Sequence, residues 1–201
     1  MTNSVDRRTQ AAQKRRRLAA AAARVLHEQG VERTTLADIA REAGVPVGNV
    51  YYYFKTKDEL VLAALGEHRD RLDELTAGLD RLPSPHDRLR ALVETWIAER
   101  ETAARLGSPT GTLAAELGKR ADGAPAAESG AVIRRLLDWT AAQFRAWGVP
   151  DPDDHALTLV SACQGMSLLA HALRDPEVMT REGTRLLRRL DALGAGPGVS
   201  P

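Results

Sequence analysis

At 201 residues, 27% of them charged and only 4% aromatic, the chain has room for one or two domains and a substantial core. Ala, Leu, Arg and Glu dominate, and no stretch alternates apolar and polar positions with β-branched residues for long enough to make a strand; an all-α protein is expected. The single cysteine excludes an internal disulfide framework. No N-terminal run has the apolar core of a signal peptide or the length of a membrane span, so a soluble, cytoplasmic protein is expected.

The net charge of +1 says little about partners, but its distribution says more. Residues 1–60 carry eleven Lys and Arg against seven Asp and Glu, densest at Arg7, Arg8, Lys14, Arg15, Arg16 and Arg17. That run suits a flexible arm tracking phosphates or lying in a minor groove; a solvated tail is the plainer alternative. The first helix is expected from about Thr9 to Gln29, with the run Ala19 to Ala23 packing closely and Gly30 as its end.

Residues 34–57, TTLADIAREAGVPVGNVYYYFKTK, read as two short helices joined by a tight turn, the layout of a helix-turn-helix DNA reader. Thr35 as N-cap with Asp38 three residues on opens the first helix, and Leu36, Ile39, Ala40 and Ala43 keep one apolar face. Gly44 stops it, and Pro46 sets φ for the second helix, Val47 to Tyr53. This second helix has no acidic residue and offers Asn49, Tyr51, Tyr52 and Tyr53, a composition suited to approaching phosphates. Val50 and Phe54 are expected to be core. Thr56 with Glu59 forms another capping box and opens the next helix.

That long helix is expected from Lys57 to about Leu82, with Leu65, Leu72, Leu75 and Leu79 on one face and Pro83 as its stop. Ser84, Pro85 and Asp87 start another, with Leu89, Leu92, Val93, Trp96 and Ile97 inward, ending before Gly107. Residues 107–117, GSPTGTLAAEL, read as a polar turn with two glycines and then a helix with Leu113 and Leu117 inward and Glu116 alongside. Residues 122–129 are expected to form a loop before a helix over Gly130 to Trp147, whose apolar face is Ile133, Leu136, Leu137, Thr140 and Phe144. Asp151, Pro152 and the acidic pair Asp153 and Asp154 give a helix start. The helix that follows, to about Leu173, is apolar nearly all round and needs cover on several sides, by its own domain and a second subunit. A last helix runs from Asp175-Pro176 to about Leu193, and residues 194–201 are expected to be a disordered tail.

Catalytic chemistry finds no footing in these residues. His155 and His171 each lie eight residues from Cys163 on one helix, about 12 Å along its axis, too far for proton transfer. The histidines at 27, 68, 86, 155 and 171 lack metal-ligand spacing. No catalytic residue, metal or cofactor is therefore expected, and Cys163 reads as a small buried hydrophobe, with redox sensing as the rival role.

The segment GVERTTLADIAREAGVPVGNVYYYFKTKDEL resembles the N-terminal domain of the TetR family of bacterial one-component repressors, from about Lys14 to Leu62. The resemblance is carried by Gly30, the Thr34-Thr35 entry, Ile39-Ala40, Ala43-Gly44-Val45, Gly48, Tyr51, Phe54 and Lys57 at the family's spacing. Pro46 stands where the family usually has Ser or Thr, so the side-chain cap of the reader helix is missing. Residues 107–117 resemble a motif of the LmrA-like subgroup, with Ser108 and Thr112 in place of its usual Cys and Asn.

The resemblance implies an N-terminal three-helix helix-turn-helix domain at 1–56 and a helical bundle at 57–193 for effector binding and dimerisation. It implies DNA contacts from Thr34, Thr35, Pro46, Val47, Gly48, Asn49, Tyr51, Tyr52, Tyr53 and Lys57, and no membrane. It further implies a homodimer through helices at about 130–147 and 154–173, bound to double-stranded operator DNA and released by a small-molecule effector. Trp96, Leu113, Leu117, Trp139, Phe144, Cys163, Met166 and Leu169, chosen as bulky or polarizable residues on inward faces, are the candidate effector pocket. The alternative is a constitutive DNA-binding protein whose second domain only dimerises.

Overall fold

A computed structural model describes residues 2–119 and 123–194, with side chains from residue 9 onward. The tail expected at 194–201 falls outside the described residues except for Gly194, which closes the last helix. The helices are α1 (Thr2–Gln29), α2 (Leu36–Ala43), α3 (Val47–Tyr53), α4 (Lys57–Leu79), α5 (Pro85–Ala98), α6 (Arg100–Leu106), α7 (Pro109–Leu117), α8 (Ala124–Trp147), α9 (Pro152–Leu173) and α10 (Glu177–Gly194). There is no strand among the described residues.

The chain forms two compact units. Among the described residues, one holds those up to 71 and those from 112 to 132, the other those from 72 to 111 and from 133 on. The boundary expected at 56/57 is therefore not where compactness divides the chain: α4 runs through residue 71 without a break, and part of α7 belongs with the N-terminal helices. The reason is apolar burial. Leu113 and Leu117 of α7 join Leu18, Leu26, Ile39, Val50, Phe54 and Leu65 in a single core, and each such side chain contributes about 1.5–3 kcal/mol when fully buried.

α1 starts at Thr2 instead of Thr9, since residues 2–29 contain no Gly or Pro to interrupt it. Lys14 to Arg17 thus lie on a helix and not in a flexible arm. Arg17 donates to Ala43 O at 2.7 Å, capping α2, and the Arg15 guanidinium lies 4.9 Å from the centre of the Phe54 ring. The side chains of Arg7 and Arg8 lie outside the described residues.

His68 of α4 is buried, and its Nε2 meets no hydrogen-bond partner. Burial, helped by the positive charge of Arg71 and by His27, pushes its pKa down to about 4. An unfolded chain takes up this proton near the ordinary histidine value of 6.5 while the folded chain does not. Stability is thus complete above that value and falls as the pH drops toward 4. About 2 kcal/mol is expected to be lost from this group between pH 7 and pH 5. His68→Gln should flatten the corresponding slope in thermal melts; an unchanged slope would contradict the assignment.

In the second unit, Leu89, Val93, Phe144, Leu159, Cys163, Met166, Leu186 and Leu190 form one apolar cluster, and Leu79, Leu92, Leu136 and Val160 another. Ser84 caps α5 by accepting from Asp87 N. The helix expected to continue toward Gly107 breaks at Glu99, whose N–H is shared between Thr95 O and Trp96 O; no Gly or Pro marks that break. Residues 124–129, expected in a loop, are the first turns of α8, with Gly123 O accepting from Ala126 and Ala127. Asp151 occupies the N-cap position of α9 but makes no side-chain cap bond, because its φ is +50°.

α10 packs so closely on α5 that a Cβ at Gly183 would run into Cγ1 and Cδ1 of Ile97. Gly183→Ala is expected to cost about 1–3 kcal/mol by overpacking. Combining it with Ile97→Ala should recover at least about 1 kcal/mol relative to the sum of the single changes. Additive losses in chemical denaturation would show that α10 has room to move.

Candidate nucleic-acid interface

The local chemistry of residues 30–57 builds a presented helix on a buried base. Thr35 opens α2 with a full capping box: its hydroxyl accepts from Asp38 N at 3.2 Å, and its N–H donates to Asp38 Oδ2 at 3.0 Å. The Thr35 hydroxyl, which donates to Asp38 Oδ2 at 2.6 Å, together with the Thr35 N–H and the nearby Arg41 charge, holds the Asp38 carboxyl below its usual pKa. Gly44, at φ +63°, closes α2 and lets Val45 N reach Ala40 O at 3.0 Å. Pro46 then starts α3 with no side-chain cap, as its chemistry requires.

α3 is anchored from below and open above. Val50 and Phe54 are fully buried, as the sequence led us to expect. Val47 is 42%, Tyr51 54% and Tyr52 72% exposed, in a core-forming unit where large apolar side chains are otherwise inside. Nothing lies within 4 Å of a Cβ placed on Gly48, so the start of the helix offers bare backbone to a partner. Asn49 is half-buried, and Pro46 is exposed. Tyr53 packs partly into the core and meets Tyr52 edge-on, ring centres 5.0 Å apart.

Two basic groups flank this surface. Lys57 Nζ donates to Glu32 O at 3.3 Å, tying α4 to the loop before α2. Lys55 Nζ donates to Tyr51 O at 3.0 Å and sits 5.9 Å from the Tyr52 ring centre. Lys55 was not among the expected contact residues; its spacing of three and four from the exposed tyrosines was the available signal. Thr34, by contrast, is turned inward: it is buried, and its hydroxyl donates to Gly30 O at 2.7 Å. Thr35 remains exposed.

A short helix seated through Val50 and Phe54 on two others, across a glycine-closed turn, with exposed tyrosines and lysines and no carboxylate of its own, defines a helix-turn-helix DNA-binding regulator. Residues 18–64 match the family described as bacterial regulatory proteins, tetR family. An uncharacterized HTH-type transcriptional regulator of Mycobacterium tuberculosis is 31% identical over 172 residues, covering 80% of this chain and 86% of that protein. The HTH-type transcriptional regulator TtgR of Pseudomonas putida is 45% identical over 66 residues, 33% of this chain and 31% of TtgR. The crystal structure of a TetR transcriptional regulator from Chloroflexus aurantiacus superposes with a TM-score of 0.80 at 22% identity, covering 91% of this chain and 96% of that one. The chain belongs to the TetR family: it is an all-α, DNA-binding transcription regulator.

The residues expected to form an effector pocket are not gathered in one place. Leu113 and Leu117 belong to the core of the first unit. Phe144, Cys163 and Met166 sit together in the second, with Trp96 beside them. Trp139 lies in the other cluster of that unit, its indole N–H donating to Asp80 Oδ1 at 3.1 Å. Leu169 faces out, 52% exposed, because it falls one residue before buried Ala170 and so about 100° around the helix from the inward stripe. An open groove of about 440 Å³ does lie on the second unit, lined by Phe144, His155, Leu159, Leu186, Arg189 and Leu190 among others. Burial pushes the Cys163 thiol up to about 12, so it stays protonated at neutral pH, which suits a packing residue and not a redox sensor.

Proposed function

We propose that the protein is a homodimeric repressor that binds a pseudo-palindromic operator and is released from it by a small molecule. α3 enters the major groove: Val47 meets a thymine methyl, Gly48 allows close backbone approach, and Asn49 reads a base edge. Tyr51, Tyr52 and Tyr53, with Pro46 at the helix start, lie along the backbone, and Thr35 and Lys57 grip phosphates from neighbouring helix starts. Thr34 contributes through the loop it holds. A role in reading DNA fits a cytoplasmic protein.

The observation that carries the dimer is the outer side of α9, where Leu157, Leu168, Leu169 and Leu173 are all more than half exposed. Four large apolar side chains on one helix call for a covering partner. By length and composition α9 would also suffice to cross a membrane, but its other side, Leu159, Cys163 and Met166, is built into a helical bundle. A second copy bringing α8 and α9 against their equivalents covers the leucines and sets the two α3 helices about 34–36 Å apart, one turn of DNA.

Effector binding and dimerisation are thus assigned to the chain beyond the reader, residues 57–193. The open 440 Å³ groove, mostly apolar and within the roughly 300–1,000 Å³ that small-molecule sites occupy, favours ligand sensing over a constitutive DNA binder. Its lining favours an uncharged or weakly polar, partly aromatic ligand. The LmrA-like character of residues 107–117 belongs to the same proposal.

Leu168→Glu, which buries a charge in the proposed dimer seam, tests the assembly. It is expected to convert a dimer into a folded monomer in analytical ultracentrifugation and to weaken operator binding at least about 100-fold. A variant that stays dimeric and binds as before would remove α9 from the interface.

A further inference from the structure

α1 ends differently from α2, α8 and α9. In those three, the residue after the left-handed cap returns its N–H to the helix behind it: Val45 to Ala40 O at 3.0 Å, Val149 to Phe144 O at 3.2 Å, and Asp175 to Ala170 O at 3.1 Å. α1 instead closes with one bond, from Gly30 N to Leu26 O at 2.9 Å. That form of cap leaves the next N–H, on Val31, without a helical acceptor. Val31 is buried, so water does not serve it, and an orphaned buried donor is costly.

The acceptor arrives from far along the chain. Glu116 Oε2 takes the Val31 N–H at 2.6 Å, across 85 residues of sequence. Its other oxygen lies 2.7 Å from where a Cβ of residue 30 would stand, so the carboxylate fits only because residue 30 is glycine. Taken alone, α7 gains nothing from a glutamate in its last turn, where the helix dipole disfavours negative charge. The seat at Val31 accounts for it.

The same loop is held twice more, by Thr34 Oγ1 on Gly30 O at 2.7 Å and by Lys57 Nζ on Glu32 O at 3.3 Å. It leads directly into Thr35, the cap of α2, against which α3 is packed. We propose that Glu116 is a positioning residue of the DNA reader: its bond to Val31 fixes the entry to α2 and so the presentation of α3. α7, by sequence part of the second domain, is then a working part of the first. Glu116 touches no DNA in this account and acts only through Val31.

The test rests on the DNA-binding reading and compares wild type, Glu116→Gln and Glu116→Ala. Affinity is measured by anisotropy on the operator recovered from genomic fragments, and the Val31 amide is followed by ¹H–¹⁵N spectra and hydrogen exchange. The Gln side chain keeps an acceptor oxygen, so it should bind within about threefold of wild type and keep Val31 protected. The Ala variant should fold cooperatively, lose protection at Val31 and bind about tenfold more weakly, the scale of one charge-assisted hydrogen bond. A folded Ala variant with wild-type affinity would overturn the proposal. So would a Gln variant that loses tenfold in affinity while Val31 stays protected; that comparison also decides the matter if the Ala variant does not fold. Failure of the wild type itself to bind any operator would count against the DNA-binding reading, and the Val31 amide would still report whether the pin exists.

Discussion

Phe54→Ala is expected to remove operator binding by unfolding the reader, with no change to any DNA contact. Phe54 is fully buried at the end of α3, where its N–H returns to Val50 O at 2.8 Å and its ring lies beneath the Arg15 guanidinium. It is one of the two largest fully buried side chains among the described residues. Truncation to Ala costs about 3–5 kcal/mol when the site does not collapse. A small domain has about 5–15 kcal/mol of stability in all, so the loss is a large fraction of it. Because α3 is only seven residues long, it has little helical stability of its own and depends on this packing. Circular dichroism and hydrogen exchange across residues 36–54 are expected to show the loss locally, while α9 and α10, whose core is separate, stay protected. Uniform loss over the whole chain would mean that the two units unfold as one.

Gly30→Ala is expected to be nearly as severe, for two separate reasons. Residue 30 has φ +77°, a conformation that costs an L-residue about 1–2 kcal/mol. The new methyl would also meet the Glu116 carboxylate at 2.7 Å, displacing it from Val31. Loss of a charge-assisted bond to a buried N–H adds about 1.5–3 kcal/mol. The total, about 2.5–5 kcal/mol, should register in urea denaturation as a lower midpoint. Gly30→Ala with Glu116→Ala isolates the second part: the double variant should lose less than the sum of the single changes. Strict additivity would show that the carboxylate moves aside freely. Gly48→Ala is the contrasting case, since open space surrounds that position and φ is not positive; it should leave stability close to wild type.

Residues 34–57 were the most legible part of the chain because every boundary there is set by local chemistry. Thr35 and Asp38 close a capping box, Gly44 supplies the positive φ, Pro46 begins the next helix, and α3 spans Val47–Tyr53 as the spacing predicted. Burial of Val50 and Phe54 followed from the same periodicity. What stayed hidden depends on distant partners. Nothing near Glu116 announces that its acceptor role is spent on Val31, and nothing near Leu113 or Leu117 says that they complete the core of the reader and not an effector pocket.

Breaks without punctuation were hidden too. The interruption at Glu99 arises from helix hydrogen bonding and not from a glycine or proline, so α5 and α6 read as one element. The first turns of α8 were hidden by the opposite error, a Pro and Gly content that suggested a loop where Pro125 sits in a first turn that tolerates it. On α9, apolar residues all round gave no way to choose which side faces in. Leu169 and Met166 are both large and apolar, and only packing against α6 and α10 places one outside and one inside.

The central claim is that α3 reads a particular DNA sequence, and one selection addresses it directly. The purified protein is incubated with fragmented genomic DNA from its source at about 0.1 M salt, where weak nonspecific phosphate binding is partly screened, and the retained fragments are sequenced. Enrichment of a single pseudo-palindrome with half-sites about one helical turn apart is the predicted result, lost when Asn49→Ala alters the preferred half-site. Retention of fragments with no sequence in common would contradict it, leaving a basic helix-turn-helix that holds DNA without reading it.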